Sequence, residues 1–136
     1  MCSAPLNKVI LCLGSNTEAE DNIRFAAGAL REYFLSINFS EAVYTEPIDC
    51  DSAALFMNQI AIAYTNIGLD EVRNELKRIE KNLGRIPEHK FNGQVLIDID
   101  LILWNDIILK PKDWERDYVQ EGLRFLFLAG ENDEWG

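Results

Sequence analysis

The sequence predicts an α+β domain: a βαββαβ sandwich of the ferredoxin-like type, its antiparallel sheet covered by two helices, with a short C-terminal helical extension. Three observations carry this reading. Strand-length apolar runs lie at 9–13, 56–65 and 95–104. Two intervening stretches, 23–34 and 69–83, instead repeat their apolar residues every three or four positions, the period of an amphipathic helix. Taken in order, strand, helix, two strands, helix and strand make the split βαβ pattern. A doubly wound parallel sheet is the alternative, but Leu13-Gly14-Ser15-Asn16 carries neither the GxGxxG fingerprint nor the GxxxxGK[ST] phosphate loop.

Val9-Ile10-Leu11-Cys12-Leu13 is a continuous apolar run stopped by Gly14, as expected of a strand buried on both faces or central in its sheet. Gly14-Ser15-Asn16-Thr17 is turn chemistry, and Thr17 with Glu20 three residues on reads as a capping box. It opens a helix whose Ile23, Phe25, Ala26, Ala27, Leu30 and Phe34 keep helical spacing to about Leu35. Ile37, Phe39, Ala42 and Val43 lead along a second strand that Pro47 should end, because proline has no N–H for a ladder. After an Asp- and Ser-rich loop, the third strand, Phe56 to Thr65, carries Asn58 on the face of Phe56, Ile60 and Ile62, and an inward amide requires a partner. Leu69, Val72, Leu76, Ile79 and Leu83 mark the second helix, with Gly84 as its terminating glycine. An irregular loop to Gln94 precedes the last core strand, Val95 to Trp104. Ile107-Ile108-Leu109 adds a short strand, Val119 to Leu128 a final helix, and Glu131 to Gly136 a frayed acidic tail.

The last core strand is apolar except for Asp98 and Asp100. Alternation along a strand puts both acids on one face and Ile97, Ile99 and Leu101 on the other. Two like charges on a largely buried strand repel and lose hydration, at a cost of several kcal/mol unless something neutralises them. A divalent cation would do so. Hard oxygen ligands favour magnesium, which takes one or two carboxylates and leaves its other positions to water and substrate phosphates. The other reading is an edge strand whose polar face simply meets water. These residues alone leave both open.

Composition narrows the classes. A chain of 136 residues, 48% hydrophobic and 26% charged with no low-complexity run, suits one globular domain over 1–136. Its net charge of −10 opposes nonspecific nucleic-acid binding, which needs a basic surface, and makes a nucleoside triphosphate an awkward guest without magnesium. Cys2, Cys12 and Cys50 fit neither a CxxC pair nor a disulfide framework, and no apolar stretch reaches membrane-spanning length. The expectation is a reduced, cytoplasmic protein without a membrane partner; the sequence leaves its oligomeric state open. His89, the single histidine, lies in a polar loop and is left out of the site.

Several pieces, in this order and spacing, resemble the 6-hydroxymethyl-7,8-dihydropterin pyrophosphokinase family of the folate pathway, which transfers pyrophosphate from ATP to a pterin alcohol. They are Leu13-Gly14-Ser15-Asn16, Thr45-Glu46-Pro47, Phe56-Met57-Asn58, Ile79-Glu80 with Leu83-Gly84-Arg85, and Asp98-Ile99-Asp100. The resemblance runs from about Val9 to Trp104. It implies that Asp98 and Asp100 bind magnesium bridging the ATP phosphates, with Asp100 near the attacking hydroxyl. It implies a pterin pocket of Thr45, Glu46, Ile48, Phe56 and Asn58, a nucleotide site that includes Glu80 and Leu101, and a catalytic role for Arg85. For Phe56 and Asn58 the residues alone equally allow core packing, and for Glu80 a solvated surface charge on a helix rich in Glu, Lys and Arg.

The sequence departs from the family in two places. The basic loop RxRxxxRWGPR reads here Arg85-Ile86-Pro87-Glu88-His89-Lys90-Phe91-Asn92-Gly93-Gln94-Val95, keeping the first arginine and the inner glycine. The family's Pro-His segment after the last core strand is not recognisable, and Lys110, Lys112 and Arg116 in that region read as ordinary surface charge. Three functions follow: a short pyrophosphokinase, which is the reading favoured here; a pterin binder without ATP turnover; or an interaction module on the same fold.

Overall fold

The computed structural model describes residues 6–45, 55–84 and 95–128. Its elements are β1 (Asn7–Ser15), α1 (Ala19–Tyr33), β2 (Ser36–Phe39), β3 (Val43–Thr45), β4 (Phe56–Thr65), α2 (Leu69–Asn82), β5 (Asp98–Trp104), β6 (Ile107–Ile108), α3 (Pro111–Trp114) and α4 (Asp117–Leu126). The strands form one sheet in the order β2-β4-β1-β5-β6, with β3 also paired to β4. Every pairing is antiparallel. This is the expected α+β, ferredoxin-like arrangement, with β1 at the centre.

The sheet is covered on both faces, which is why β1 reads as an unbroken apolar run rather than an alternating one. Val9, Leu11 and Leu13 pack with Ala61, Ala63, Ile97, Ile99 and Leu101 under α1 and α2. Ile10 and Cys12 pack with Ile60, Ile62, Tyr64 and Ile102 under Val119, Leu123 and Leu126 of α4. Each fully buried aliphatic side chain here contributes about 1.5–3 kcal/mol over an exposed one. The C-terminal extension is therefore a third covering helix, preceded by the single turn α3 that periodicity does not reveal.

Gly122 lets α4 lie close to the sheet: a Cβ there would come 2.6 Å from Ile60 Cγ1 and 2.9 Å from Ile60 Cβ. The register of β5 on β1 shifts between Ile10 and Leu11. Across this bulge Ile102 and Leu103 both join the α4 face, and Trp104 packs on the other. The acids lie before the bulge, so their phase is as the alternation predicts.

Several local expectations are corrected. The Thr17/Glu20 capping box does not form: Glu18 is the cap residue, in a left-handed conformation with φ 45°, and makes no side-chain cap bond. Thr17 Oγ1 instead donates to Asn16 Oδ1 (2.9 Å). The single second strand is two, β2 and β3, because Ser40 breaks it: its N–H donates to the Ile60 carbonyl and its hydroxyl accepts the Ile60 N–H. Regular strand begins at Asp98 rather than Val95. α2 ends as expected, with Gly84 at φ +93°. Pro47, the loop from Arg85 to Gln94 and the acidic tail lie outside the described residues.

Candidate active site

Register brings the predicted residues together on the α4 face. Asn58 pairs with Gly14, and Gly14 with Asp98, so amide, glycine and acid form one row across β4, β1 and β5. In the next row Ile60 pairs with Cys12 and Cys12 with Asp100. A Cβ on Gly14 would come 3.3 Å from Asn58 Oδ1, so the glycine leaves room for the amide. Asn58, 6% exposed, donates from Nδ2 to Thr45 Oγ1 (2.6 Å), which satisfies the partner requirement.

The start of β5 is fixed by the turn after β1. Val95 donates its N–H to Asn16 Oδ1 (2.6 Å) and accepts at its carbonyl from Asn16 N–H (2.9 Å) and Ser15 Oγ (3.3 Å). Gly14-Ser15-Asn16 is thus a clamp that sets where the acid strand begins.

Two cavities meet at the acids. The first, about 190 Å³, is walled by the pocket residues Thr45, Phe56 and Asn58, by Cys12 and Gly14 of β1, by Asp113, Arg116 and Tyr118 of the C-terminal segment, and by Asp98 and Asp100. The second, about 460 Å³, lies on the α2 side and is bounded by Arg73, Lys77, Glu80, Leu101, Lys110 and the same two acids. Glu80 is not a solvated surface charge. It is 7% exposed, and its Oε2 accepts the Ile99 N–H at 2.7 Å, tying α2 to β5. Leu101 is buried in the core between sheet and helices while bounding this cavity.

The electrostatics centre on Asp100. Burial first, and then the charge of Asp98, lift its carboxyl above the ordinary range, while Lys110 Nζ, donating to Oδ1 at 2.8 Å, pulls it down. Burial, and then the charge of Asp100, push the Cys12 thiol up to about 12, so it lines the cavity as a neutral group. The Tyr118 hydroxyl is raised as well, chiefly by burial and next by the neighbouring Cys12. Arg116 Nε donates to Asp113 Oδ1 (3.0 Å), which holds the guanidinium at the rim. Lys110 and Arg116 are therefore placed at the site rather than scattered on the surface; Lys112 is exposed.

Two carboxylates on one face, each at the junction of the cavities, are a donor set that suits magnesium, which needs only one or two protein carboxylates. Among the described residues there is no cluster of three His, Cys, Asp or Glu side chains that could hold a metal alone. Sequence reasoning missed Cys12, Gly14, Asp113 and Tyr118 as cavity residues. Three of the expected site residues, Glu46, Ile48 and Arg85, lie outside the described residues.

Comparison with known proteins gives concordant matches. A family model described as 7,8-dihydro-6-hydroxymethylpterin-pyrophosphokinase matches residues 10–127. The chain is 28% identical over 136 residues to the folate synthesis bifunctional protein of Arabidopsis thaliana, covering 93% of this chain and 28% of that protein. It is 30% identical over 129 residues to the mitochondrial folate synthesis bifunctional protein of Pisum sativum, covering 88% and 25%. To the 2-amino-4-hydroxy-6-hydroxymethyldihydropteridine pyrophosphokinase of Aquifex aeolicus it is 32% identical over 107 residues, covering 76% and 65%. The chain thus spans about a quarter of the plant proteins. No described helix is long and apolar enough to cross a membrane.

Proposed function

This chain belongs to the 7,8-dihydro-6-hydroxymethylpterin-pyrophosphokinase family, and from that membership we propose that it transfers pyrophosphate from ATP to 6-hydroxymethyl-7,8-dihydropterin with magnesium. The observation that carries the reading is the junction: Asp98 and Asp100 border both cavities. A two-substrate transfer needs its acceptor and donor to meet at one charged point.

In this reading the first cavity takes the pterin. Phe56 offers a ring to its face, and Thr45 and Asn58, already paired, offer polar groups to its edge. The second takes the nucleotide, with Glu80 holding β5 in place, Leu101 at its wall, and Arg73, Lys77 and Lys110 facing the phosphates. The pterin hydroxyl oxygen forms a bond to the β-phosphorus and gives up its proton to solvent water, as the bond from that phosphorus to the α–β bridging oxygen breaks and AMP leaves. Magnesium, when bound, would neutralise phosphate charge and hold the polyphosphate in line. Asp98 and Asp100 would hold it, and Asp100 would stand near the attacking hydroxyl. Arg116, fixed by Asp113, would add positive charge at the acceptor cavity.

A second reading rests on the loop: with a single arginine from Arg85 to Val95, the chain lacks charges that stabilise a transferring phosphate, and single arginine fingers are worth about 10³–10⁵ in rate in other phosphoryl-transfer enzymes. Such a protein would bind the pterin and turn over slowly or not at all. AMP release from ATP, measured with and without the pterin alcohol and magnesium, separates the two. Turnover requiring all three components supports transfer; pterin binding without AMP supports the binder.

A further inference from the structure

Lys110 follows β6 and immediately precedes α3, and its ammonium donates to Asp100 Oδ1 at 2.8 Å. Its side chain is 45% exposed and that of Asp100 30% exposed, so the ion pair is open to solvent from the lysine side. Asp98 lies two residues away on the same face, so the ammonium that bonds to Asp100 also feels the charge of its neighbour. That is also the service the proposed function asks of a divalent cation.

An ammonium and a dication on one carboxylate repel each other. We propose that Lys110 is a built-in exchangeable counter-ion, which occupies Asp100 in the metal-free protein and must leave before a divalent cation can use both acids. The consequence is an order of loading. A bare cation must displace Lys110 without compensation, whereas a cation arriving with a polyphosphate brings negative charge that receives the released ammonium. The acid pair is thus guarded against ions alone and opens to the metal–nucleotide complex. This rests on the magnesium reading of Asp98 and Asp100.

The test is manganese binding at fixed ionic strength, followed by the resonance of the free ion, with and without a non-hydrolysable ATP analogue. Lys110→Met should bind the bare ion roughly tenfold more tightly than the parent, and the enhancement of ion binding by nucleotide should shrink. Lys110→Arg, which keeps the charge, should follow the parent. Unchanged or weaker bare-ion binding in a folded Lys110→Met protein, with parent binding that disappears in Asp98→Asn/Asp100→Asn, would overturn the exchange while leaving the metal site standing. No manganese binding by the parent even with nucleotide would overturn the metal reading and the exchange with it.

Discussion

Two side chains at the junction give measurable consequences. Asp100 is lifted by burial and by Asp98 above the value near 4 that a carboxyl has in an unfolded chain. The folded protein therefore holds this proton more tightly than the unfolded one. The stability so contributed is complete below the unfolded value and lost as pH rises through the folded value. In metal-free protein, Asp100→Asn should gain on the parent as pH climbs through the carboxylate range; urea midpoints taken across that range would show it, and a gap that stays constant would count against the shift. Phe56, half-buried at the start of β4, borders the first cavity beside Asn58. Phe56→Ala should weaken pterin binding by about 1–3 kcal/mol through lost burial and ring contact. Calorimetry reads this directly, and unchanged affinity in a folded variant would return Phe56 to a packing role. Alternation made the face of Asp100 legible in the sequence and left its role open, whereas the pocket role of Phe56 came only from the family resemblance, since its residue pattern equally allows core packing. Cys12, Asp113 and Tyr118 were not legible, because their proximity to Asp100 depends on register and on a helix more than ten residues downstream.

At the scale of elements, the site depends on how β5 and α4 are held. Glu80 is the acceptor for Ile99 N–H, so Glu80→Ala would leave a buried donor without its partner, at about 1–3 kcal/mol. Glu80→Gln keeps an acceptor oxygen and should cost less. Denaturant unfolding of the two variants separates a structural tie from a charge requirement: equal losses would mean that the carboxylate charge, not the hydrogen bond, matters. Gly122→Ala tests α4. Alanine is the better helix former by about 1 kcal/mol, yet its Cβ would press on the Ile60 side chain, and overpacking a close contact costs about 1–3 kcal/mol. The expected result is net destabilisation together with a weakened first cavity, since Tyr118 rides on the same helix. Stabilisation would show that α4 has slack. Helical spacing in 119–128 announced this element, which the structure begins at Asp117 and ends at Leu126, and the unbroken apolar run of β1 was compatible with cover on both sheet faces or with a central place in the sheet. Nothing in the pattern said which face α4 takes, and the break at Ser40 was hidden because its hydroxyl replaces a ladder acceptor rather than interrupting an apolar run.

At the scale of the whole molecule, the acid pair must be distinguished from a chain that carries a net charge of −10. Any divalent cation will gather near such a surface and raise its stability through screening, so a magnesium-dependent melt alone proves little. Holding ionic strength constant removes most of that background. A specific site then adds stability by mass action, about 1.4 kcal/mol for each tenfold of ligand above its dissociation constant, or a few degrees for a domain of this size. Replacing both Asp98 and Asp100 by Asn removes their mutual repulsion as well as the donors, so the double variant should melt as high as the parent or higher in metal-free buffer. With magnesium and an ATP analogue the parent should rise and the variant should not. This opposition of signs excludes general damage, which would lower the variant under every condition. A parent melt indifferent to magnesium, with nucleotide and without it, would sink the proposal that these two acids are where the metal and the substrates meet.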